Sequence, residues 1–562
     1  MTGSVNSSTW NYIRPMTFRH RGADTLVKAM ASAGVRRIFT LSGNHIMPIF
    51  DAAFDAGIVL IHTRHEAAAV HMADAWARLT GEPGIALVTG GPGHANALGA
   101  LYTAAMAESL VVLLSGHAPN NQLGMGAFQE MRQADIAAPL AKAAFTSARA
   151  GDVARDFVRA IREARSGRPG PVHLSLPTDC LDDEADMENV PRAEAFFNDA
   201  MALDVSVADG MLEQLRRARH PLILAGPALM TQKGRQSTAG LQEALQIPVI
   251  GMESPRGIAD PSLGAFAQIL AQADCILLLG KRLDFTLKFG KPPAFDAHCK
   301  FLQIDAESEE IERTGRAVHA RLSVSALAEP FAAAEMLARC AQAKPAAKCG
   351  WLGETQAAIG YRPAEWDTAK SNQSDRIHPV EALRPLQAIL DGHPDSVFIS
   401  DGGEFGQWAQ ACLSAPNRII NGVAGSIGAA LPFALAARIA KPNVPVIAVM
   451  GDGTFGFHPA EIDTAVRYGL PFVCIVGNDS RWNAEYQIQL REYGRSRLHS
   501  CELLPTRYDR VAIAFGGYGE LVTSVKEVGP AAHRAMMSGL PACINILIEG
   551  LAAPAVNRSE WL

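Results

Sequence analysis

Short apolar runs alternate with amphipathic helical segments along the chain, and the clearest example lies near residue 450. One apolar run covers residues 445–450 and is followed by glycine, a helical pattern covers residues 459–468, and a second apolar run covers residues 472–476. The runs have the length of buried strands, and the segment between them has the helical period. This pattern predicts a β-α-β unit of a parallel sheet, in which both strands end at the same edge.

The same alternation recurs in three blocks. Further strands are predicted over residues 37–41, 59–63, 85–89, 110–115, 221–225, 248–251, 275–280, 301–305 and 397–400. An acid-rich linker at residues 182–192 and a less ordered stretch at residues 349–375 separate the blocks. Such alternation is typical of parallel sheets covered by helices on both faces. We therefore predict an α/β protein of three doubly wound parallel-sheet domains, over residues 1–190, 191–365 and 366–562.

Composition narrows the classes of function. The 562-residue chain is 48% hydrophobic and 19% charged, and its formal net charge of −6 argues against nucleic acid or an anionic membrane as a partner. The nine cysteines show no CxxC spacing, so we interpret them as buried thiols of a reducing compartment. Residues 1–21 lack an apolar signal segment, and glycine and proline interrupt the long uncharged stretches. We expect a cytoplasmic protein that does not enter the membrane.

Two aspartates end the strands of the unit near residue 450. Asp452 follows the first strand in the turn Gly451-Asp452-Gly453-Thr454, and Asp479 follows the second strand. Carboxylate oxygens suit Mg²⁺, which usually shares its coordination shell with substrate phosphates. The backbone N–H groups of Gly453 and Thr454 are placed to meet phosphate oxygens. The turn at residues 451–454 taken alone is explained by an ordinary strand–turn–helix with an aspartate cap. The turn and the second aspartate, Asp479, taken together favour a metal–diphosphate site.

This stretch resembles the signature of thiamine diphosphate (ThDP) enzymes, in which Gly-Asp-Gly is followed further along by Asn-Asn. The resemblance covers nearly the whole chain and implies that Asp452 and Asp479 bind magnesium together with the backbone carbonyl of Arg481. The chain departs from the family in having Asp479 where a second asparagine is usual. Aspartate remains an oxygen ligand, so we expect metal binding with an altered affinity.

Glu66 opens a predicted helix directly after the strand over residues 59–63. A carboxylate at that position is stabilised by the helix dipole, which is the structural interpretation. The resemblance implies a catalytic role, because these enzymes use such a glutamate to hydrogen-bond the aminopyrimidine ring and promote deprotonation of the thiazolium carbon. A glycine-rich loop follows the next strand, and the resemblance assigns cofactor contacts in it to Gly91, Pro92 and Asn96. A plain strand-to-helix turn is the alternative for that loop.

Two neutral polar residues of the first block are candidates for substrate contacts. His45 resembles the active-site histidine of benzaldehyde lyase, and Gln129 resembles a glutamine shared by that lyase and the acetolactate synthases. Both suit a substrate carbonyl or hydroxyl. The adjacent-histidine pair of pyruvate decarboxylases is absent near residues 126–127. This absence favours carboligation or lyase chemistry over simple decarboxylation.

The third block carries two further loops that resemble cofactor-binding segments of the family. Gly402 and Gly403 follow the strand over residues 397–400 and correspond to the first diphosphate loop. Ile427 corresponds to the apolar residue that bends the cofactor into its V shape, and the carbonyl of Gly425 corresponds to the acceptor for the aminopyrimidine amine. Ile427 can also be a core residue, and the two roles are compatible.

The middle block contains Gly280-Lys281-Arg282-Leu283-Asp284-Phe285, Gly290-Lys291-Pro292-Pro293 and Gln303-Ile304-Asp305. These segments resemble the corresponding domain of 2-hydroxyacyl-CoA lyases and oxalyl-CoA decarboxylases. In such relatives this domain can hold ADP or FAD, and Asp305 at a strand end suits a ribose hydroxyl. No GxGxxG motif supports a nucleotide, so a domain that only packs remains an equal alternative.

The resemblance implies a ThDP- and magnesium-dependent C–C lyase or carboligase of the acetolactate synthase, benzaldehyde lyase and 2-hydroxyacyl-CoA lyase type. Its expected partners are a small-molecule carbonyl substrate, which is a 2-hydroxy ketone, a 2-hydroxyacyl compound or a 2-oxo acid, and further copies of the chain in a homodimer or homotetramer. Two alternatives stay open. One is a non-oxidative 2-oxo-acid decarboxylase, and the other is a non-catalytic ThDP-binding protein.

Overall fold

The computed structural model describes residues 20–342 and 350–558. Within these ranges the chain forms three sheets, and every strand pairing is parallel. Each sheet corresponds to one of the three predicted blocks, so the predicted α/β class is confirmed. The first 19 residues and Cys349, on which some sequence predictions fall, lie outside the described residues.

The first sheet has six strands in the order β2-β1-β3-β4-β6-β5. Its strands are β1 (Arg37–Thr40), β2 (Val59–His62), β3 (Gly84–Val88), β4 (Val111–His117), β5 (Ala143–Thr146) and β6 (Val172–Pro177). Its helices are α1 (Gly22–Ser32), α2 (Met47–Asp55), α3 (Glu66–Thr80), α4 (Pro92–Met106), α5 (Gln133–Ala137), α6 (Val153–Arg165) and α7 (Thr178–Asp182). The strand order reverses between β1 and β3, and open parallel sheets bind ligands at the carboxyl ends of strands beside such a point.

The middle sheet has five strands in the order β11-β10-β9-β7-β8. They are β7 (Pro221–Ala225), β8 (Val249–Gly251), β9 (Cys275–Leu279), β10 (Lys300–Asp305) and β11 (Leu322–Leu327). The helices are α8 (Val205–Arg217), α9 (Gln232–Leu245), α10 (Phe266–Leu270), α11 (Ser308–Val318), α12 (Pro330–Gln342) and α13 (Gly350–Gly360).

The third sheet again has six strands, in the order β13-β12-β14-β15-β17-β16. They are β12 (Val397–Ser400), β13 (Asn417–Ile420), β14 (Val446–Gly451), β15 (Val473–Asn478), β16 (Tyr518–Val522) and β17 (Ala542–Leu547). The helices are α14 (Pro379–Asp391), α15 (Gly403–Cys412), α16 (Ala430–Ala440), α17 (Asp452–Phe455), α18 (Glu461–Arg467), α19 (Asn483–Tyr493), α20 (Tyr508–Ala514) and α21 (Val525–Met537). The order reverses between β12 and β14.

One hydrophobic core is shared by the first and third domains. Helix α3 packs against both α4 and α16, and buried residues of both sheets belong to the same cluster. On α3, the ring of His71 makes a T-shaped contact with the ring of Phe433 on α16, and the guanidinium of Arg78 lies over the face of the same ring. The two outer domains therefore bury a joint apolar face, although the middle domain separates them in sequence.

The stretch at residues 349–375 is more ordered than predicted. It contains α13, and a short 3-10 turn follows at Ala364–Asp367. Trp351 is buried, donates its indole N–H to the carbonyl of Pro221 at 3.0 Å and stacks on His220. Burial of this tryptophan against the middle sheet orders a segment whose sequence has little helical periodicity.

Among the residues that the structure describes, no helix is long and apolar enough to cross a membrane.

Candidate functional site

A cavity of about 180 Å³ lies at the carboxyl edge of the third sheet, beside the reversal of strand order between β12 and β14. Nine residues singled out in this part of the sequence line it together: Gly402, Gly403, Gly425, Ile427, Asp452, Gly453, Thr454, Asp479 and Arg481. The turn after β14, the end of β15 and the start of α15 supply most of these residues. The structure therefore gathers the whole third-domain set of candidates into one place.

Two acidic side chains face each other in this cavity. Asp452 is buried at the first position of α17, and its Oδ2 atom has no hydrogen-bond partner. Burial raises the pKa of Asp452, while backbone N–H groups of Gly453, Ser480 and Arg481 partly offset that rise. Burial and the neighbouring carboxylate of Asp452 also raise the pKa of Asp479. A cation between the two carboxylates would remove this repulsion and satisfy the unpartnered oxygen.

Two glycines of the cavity are required by close packing, and a third by its backbone conformation. A Cβ atom at Gly453 would lie 2.7 Å from the ring of Trp482, and one at Gly402 would lie 2.6 Å from Ile427. Gly425 adopts a positive φ of 68°, which side chains rarely tolerate. The absence of side chains at these positions leaves room for a ligand to approach the backbone of the turns.

Asp401 joins two of the cavity loops and was missed by sequence reasoning. Its buried carboxylate accepts backbone N–H groups from Gly402 at 2.7 Å, from Gly428 at 3.0 Å and from Ala430 at 3.0 Å. Burial raises the pKa of Asp401 to about 6 despite these donors. His458 fixes the same loop from its other side, with Nδ1 at 2.8 Å from the carbonyl oxygen of Gly428.

Glu66 is the first residue of α3, at the carboxyl edge of the first sheet. Its side chain is 8% exposed, and Asn96 of α4 donates its amide N–H to Oε2 at 3.1 Å. The start of α4 approaches closely, because a Cβ atom at Gly93 would lie 3.3 Å from Oε1. The two predicted residues Glu66 and Asn96 therefore form one pair, with Pro92 opening the helix that carries Asn96.

His45 lies at the same sheet edge, in a 3-10 turn after β1. Its Nδ1 atom is 3.1 Å from Thr89 Oγ1, and its ring stacks on Phe128 with centroids 5.8 Å apart. Burial lowers the pKa of His45, so the imidazole is neutral at pH 7. A neutral ring can donate or accept one hydrogen bond to a substrate oxygen.

Gln129 packs against the glycine-rich loop after β3. It has a positive φ of 56°, and a Cβ atom at Gly91 would lie 2.8 Å from its own Cβ. Gln133, which sequence reasoning missed, supports the loop from beneath: its buried Oε1 accepts the N–H of Gly91 at 2.8 Å. Its amide N–H groups contact the carbonyl of Gly116 at 3.0 Å and Ser175 Oγ at 3.2 Å. No local sequence pattern marks Gln133, because its role depends on its packing against the distant loop of Gly91.

The structure brings the candidates together as two sets. The first-domain set comprises His45, Glu66, Gly91, Pro92, Asn96 and Gln129, and it lies at the carboxyl edge of the first sheet. All the residues that line the third-domain cavity, as the structure describes it, belong to the third domain. A single chain therefore presents two half-sites.

Comparison with known proteins matches both half-sites. Residues 20–136 match the thiamine pyrophosphate enzyme N-terminal TPP binding domain, residues 208–329 the central domain, and residues 401–546 the C-terminal TPP binding domain. A probable acetolactate synthase of Mycobacterium bovis is 32% identical over 547 residues, which cover 95% of this chain and 97% of that protein. The chain belongs to the thiamine pyrophosphate enzymes.

Other relatives of this ThDP enzyme carry lyase names. A 2-hydroxyacyl-CoA lyase of Oryza sativa is 29% identical and covers 97% of this chain and 98% of its own length. The 2-hydroxyacyl-CoA lyase 2 of Homo sapiens is also 29% identical and covers 94% of this chain and 90% of its own length. The resemblance stated from the motifs is therefore confirmed at the level of the family.

The cavity residues fit ThDP with a divalent cation. The unpartnered Oδ2 of buried Asp452 and the facing Asp479 would supply oxygen ligands, and the glycine turns leave room for a diphosphate group beside them. Within residues 20–342 and 350–558, no group of three or more His, Cys, Asp or Glu side chains could hold a metal alone. A metal here would depend on backbone and diphosphate oxygens to complete its shell.

Asp305 of the middle domain has a different environment from the one expected for a ribose contact. Its buried carboxylate is paired with Arg168 of the first domain, which also pairs with Glu108 and donates to the carbonyl of Gly280 at 2.9 Å. This ion network fills the carboxyl end of β10 and joins the first and middle domains. Asp305 does not face open space.

Proposed function

We propose that this enzyme is a ThDP- and magnesium-dependent C–C lyase or carboligase acting on 2-hydroxy ketones, 2-hydroxyacyl compounds or 2-oxo acids. The observation that carries this proposal is the single cavity in which two facing carboxylates meet the glycine turns of the third domain. The names of the relatives, acetolactate synthase and 2-hydroxyacyl-CoA lyase, support the direction of the chemistry.

We propose that the third domain binds the diphosphate end of the cofactor and its metal ion. Asp452, Asp479 and the carbonyl of Arg481 would bind the magnesium ion, and the backbone N–H groups of Gly453 and Thr454 would meet diphosphate oxygens. The first diphosphate loop would be Gly402 and Gly403, Ile427 would support the bend of the cofactor, and the carbonyl of Gly425 would accept its amine. Asp401 holds these loops at a fixed separation through its three backbone contacts.

The first domain would supply the proton and substrate contacts. ThDP, when bound, provides a carbon nucleophile and stabilises the negative charge left when a C–C bond breaks. Glu66, oriented by Asn96, would hydrogen-bond the aminopyrimidine ring beside the loop of Gly91 and Pro92. His45 and Gln129 would hydrogen-bond the substrate oxygen whose charge changes during the reaction. A neutral His45 suits that role, because a neutral imidazole can hydrogen-bond a carbonyl oxygen without transferring its proton.

A second copy of the chain would join the two half-sites. No first-domain residue lines the third-domain cavity as described, so the edge with Glu66 needs a diphosphate-binding partner. We propose a homodimer or homotetramer in which the first domain of one copy faces the third domain of another.

We also propose that the domain boundaries lie near residues 190 and 365, between the residues of one sheet and those of the next. The eight described cysteines are all free, which supports a cytoplasmic location.

We further propose that ADP or FAD binds beside the middle sheet instead of at Asp305. A cavity of about 320 Å³ lies where the three domains meet, and apolar Phe331 and Met230 line it together with the cations Arg165 and Lys233. Arg418 also lines it but is paired with Glu253 at 3.0 Å. Apolar and cationic groups together suit an adenine ring and its phosphates. Mass spectrometry of nucleotides released from the denatured protein tests this placement.

The role of Glu66 gives the sharpest test of the function. Glu66→Gln keeps a hydrogen-bond acceptor but loses the proton acceptor, so we expect normal ThDP affinity and a loss of about a hundredfold or more in exchange of the thiazolium C2 proton. Calorimetry measures the affinity, and NMR measures the exchange. Unchanged exchange would remove the assignment of Glu66. A stoichiometric but inert complex of the wild-type protein with ThDP would instead support the non-catalytic ThDP-binding protein.

Product analysis separates the remaining alternatives. The protein is supplied with ThDP and Mg²⁺ and then with 2-oxo acids, acyloins or acyl-CoA thioesters. Coupled acyloins, or cleavage of a 2-hydroxy ketone, support the carboligase and lyase proposal. Free aldehyde from a 2-oxo acid as the sole product would support the decarboxylase alternative.

A further inference from the structure

The strand that leads to Glu66 has an unusual outer edge. Strand β2 is the edge strand of the first sheet, and its residues 59 and 63 direct their N–H groups to β1, with Val59 donating to Arg36 and Thr63 to Thr40. The alternate residues 60, 62 and 64 therefore face outwards, because successive backbone groups of a strand alternate in direction. Such free backbone groups are a liability unless another element covers them.

Side chains of the third domain cover this outer edge. The hydroxyl of Tyr468 accepts the N–H of His62 at 2.8 Å and donates to the carbonyl of Leu60 at 2.9 Å. Arg467 donates to the carbonyl of His62 at 2.7 Å. These contacts take the place of a neighbouring strand, so the position of β2 depends on helix α18 and the residue that follows it.

Glu461 makes the contact closest to Glu66. Its side chain is 1% exposed, and its Oε1 accepts the backbone N–H of Arg64 at 2.9 Å, two residues before Glu66. Its Oε2 accepts from Thr464 Oγ1 at 2.7 Å, which fixes the carboxylate on its own helix. The turn between β2 and α3 is thereby held to the third domain at the backbone N–H of Arg64, two residues before the helix begins.

We propose that Glu461 is a positioning residue that fixes the turn carrying Glu66 and so sets the direction of the Glu66 carboxylate. This inference rests on the proposed role of Glu66. The helix α3 begins at Glu66, so a shift of the Arg64 peptide moves the first residue of the helix directly. Displacement of a catalytic group by about 1 Å can cost a hundredfold in rate.

Three substitutions at one position and one neighbouring control test the proposal in the full-length protein. Glu461→Ala removes the acceptor, Glu461→Asp withdraws it by one methylene, and Glu461→Gln keeps an acceptor oxygen in place. The control is Asp463→Asn on the same helix. The Asp463 carboxylate contacts only the side chains of Arg64 and Arg467 in the described hydrogen bonds and ion pairs, and asparagine keeps an acceptor oxygen for Arg467, which itself supports β2.

The first measurement needs no cofactor. Backbone amide hydrogen exchange of the segment with residues 60–66 should accelerate about tenfold or more in the Ala and Asp variants, because a buried charge-assisted hydrogen bond is lost. The Gln variant and the Asp463 control should keep the wild-type rate. If Glu461→Ala does not fold, Glu461→Asp carries the test, since it keeps the charge and nearly the volume.

The second measurement uses the ThDP-loaded protein. We expect the Ala and Asp variants to bind ThDP within about threefold of wild type but to exchange the C2 proton about tenfold more slowly or worse, with recovery in Glu461→Gln. Wild-type exchange of both the amides and the C2 proton in the Ala and Asp variants would overturn the proposal. Wild-type C2 exchange in Glu66→Gln would instead overturn the proposed function, and with it the catalytic part of this inference.

Discussion

At the scale of single residues, Asp401 shows how one buried carboxylate can hold a cofactor site together. It accepts three backbone N–H groups from two loops, at Gly402 and at residues 428–430. Burial opposes its ionised form and raises its pKa to about 6 from an ordinary value of 3.8. The folded protein therefore binds this proton more tightly than the unfolded chain does. Its contribution to stability falls as the pH rises from about 4 to about 6.

The substitution Asp401→Asn tests this role. The amide nitrogen would face a backbone N–H group, and an unsatisfied buried donor costs about 1–3 kcal/mol. We expect a lower free energy of unfolding at pH 7, weaker ThDP binding, and loss of the pH dependence between pH 4 and 6. Chemical denaturation at several pH values measures the first and third effects. The matched control is Asp395→Asn, because Asp395 is 53% exposed. Equal behaviour of the two variants would contradict the role of Asp401.

The residues that carry recognisable motifs were predicted from the sequence. The pairs Glu66–Asn96 and Asp452–Asp479 come together in the structure, although each pair is distant in sequence. Asp401, Gln133 and Glu461 were not found. Each acts on the backbone of a distant segment, and such a contact depends on the packing of two elements, not on a local pattern.

At the scale of elements, the turn from β14 to α17 illustrates why one motif glycine differs from another. A Cβ atom at Gly453 would meet the Trp482 ring at 2.7 Å, whereas nothing lies within 4 Å of one at Gly451. The two glycines stand on either side of Asp452, and neither has a positive φ. Their sequence context is similar, and only the position of α19 with its preceding tryptophan separates them.

We expect opposite effects from alanine at these two positions in the protein without cofactor. Gly453→Ala should lower the free energy of unfolding by about 1–3 kcal/mol, because the tryptophan must move in a packed site. Gly451→Ala should be neutral or stabilise by up to about 1 kcal/mol through the unfolded chain. Thermal unfolding with a chelator present compares them. A greater loss in Gly451→Ala than in Gly453→Ala would show that the turn is packed differently.

The elements themselves were predicted best where apolar runs are uninterrupted. The bounds expected for β7 and β12 match the structure, and the other predicted strands differ by one or two residues at one or both ends. Six strands were not predicted: β5, β6, β11, β13, β16 and β17. Helix α13 was missed, because the burial of Trp351 orders it against the distant strand β7 of the middle sheet. Element boundaries that depend on such contacts are not encoded in local periodicity.

At the scale of the whole molecule, Arg168 joins the first and middle domains. It is 2% exposed and paired with Glu108 and Asp305, from different domains. Arg168→Met should destabilise the protein by about 3–5 kcal/mol, because two carboxylates are left buried without their cation. Arg316→Met, whose ion pair with Glu312 is largely exposed, should change stability by less than about 1 kcal/mol. Denaturant unfolding measures the free energy of unfolding of both variants. Similar losses in the two variants would contradict a stabilising role of Arg168.

The core shared by α3, α4 and α16 has a consequence for biosynthesis. The first domain leaves the ribosome with the apolar face of α3 uncovered, while Phe433 and its neighbours on α16 are made only after the entire middle domain. At about 5–20 residues per second the delay is on the order of tens of seconds. During that interval the nascent chain exposes a surface that holdase chaperones bind. A fragment that ends before α16 should therefore aggregate, whereas the full chain buries the same face against itself.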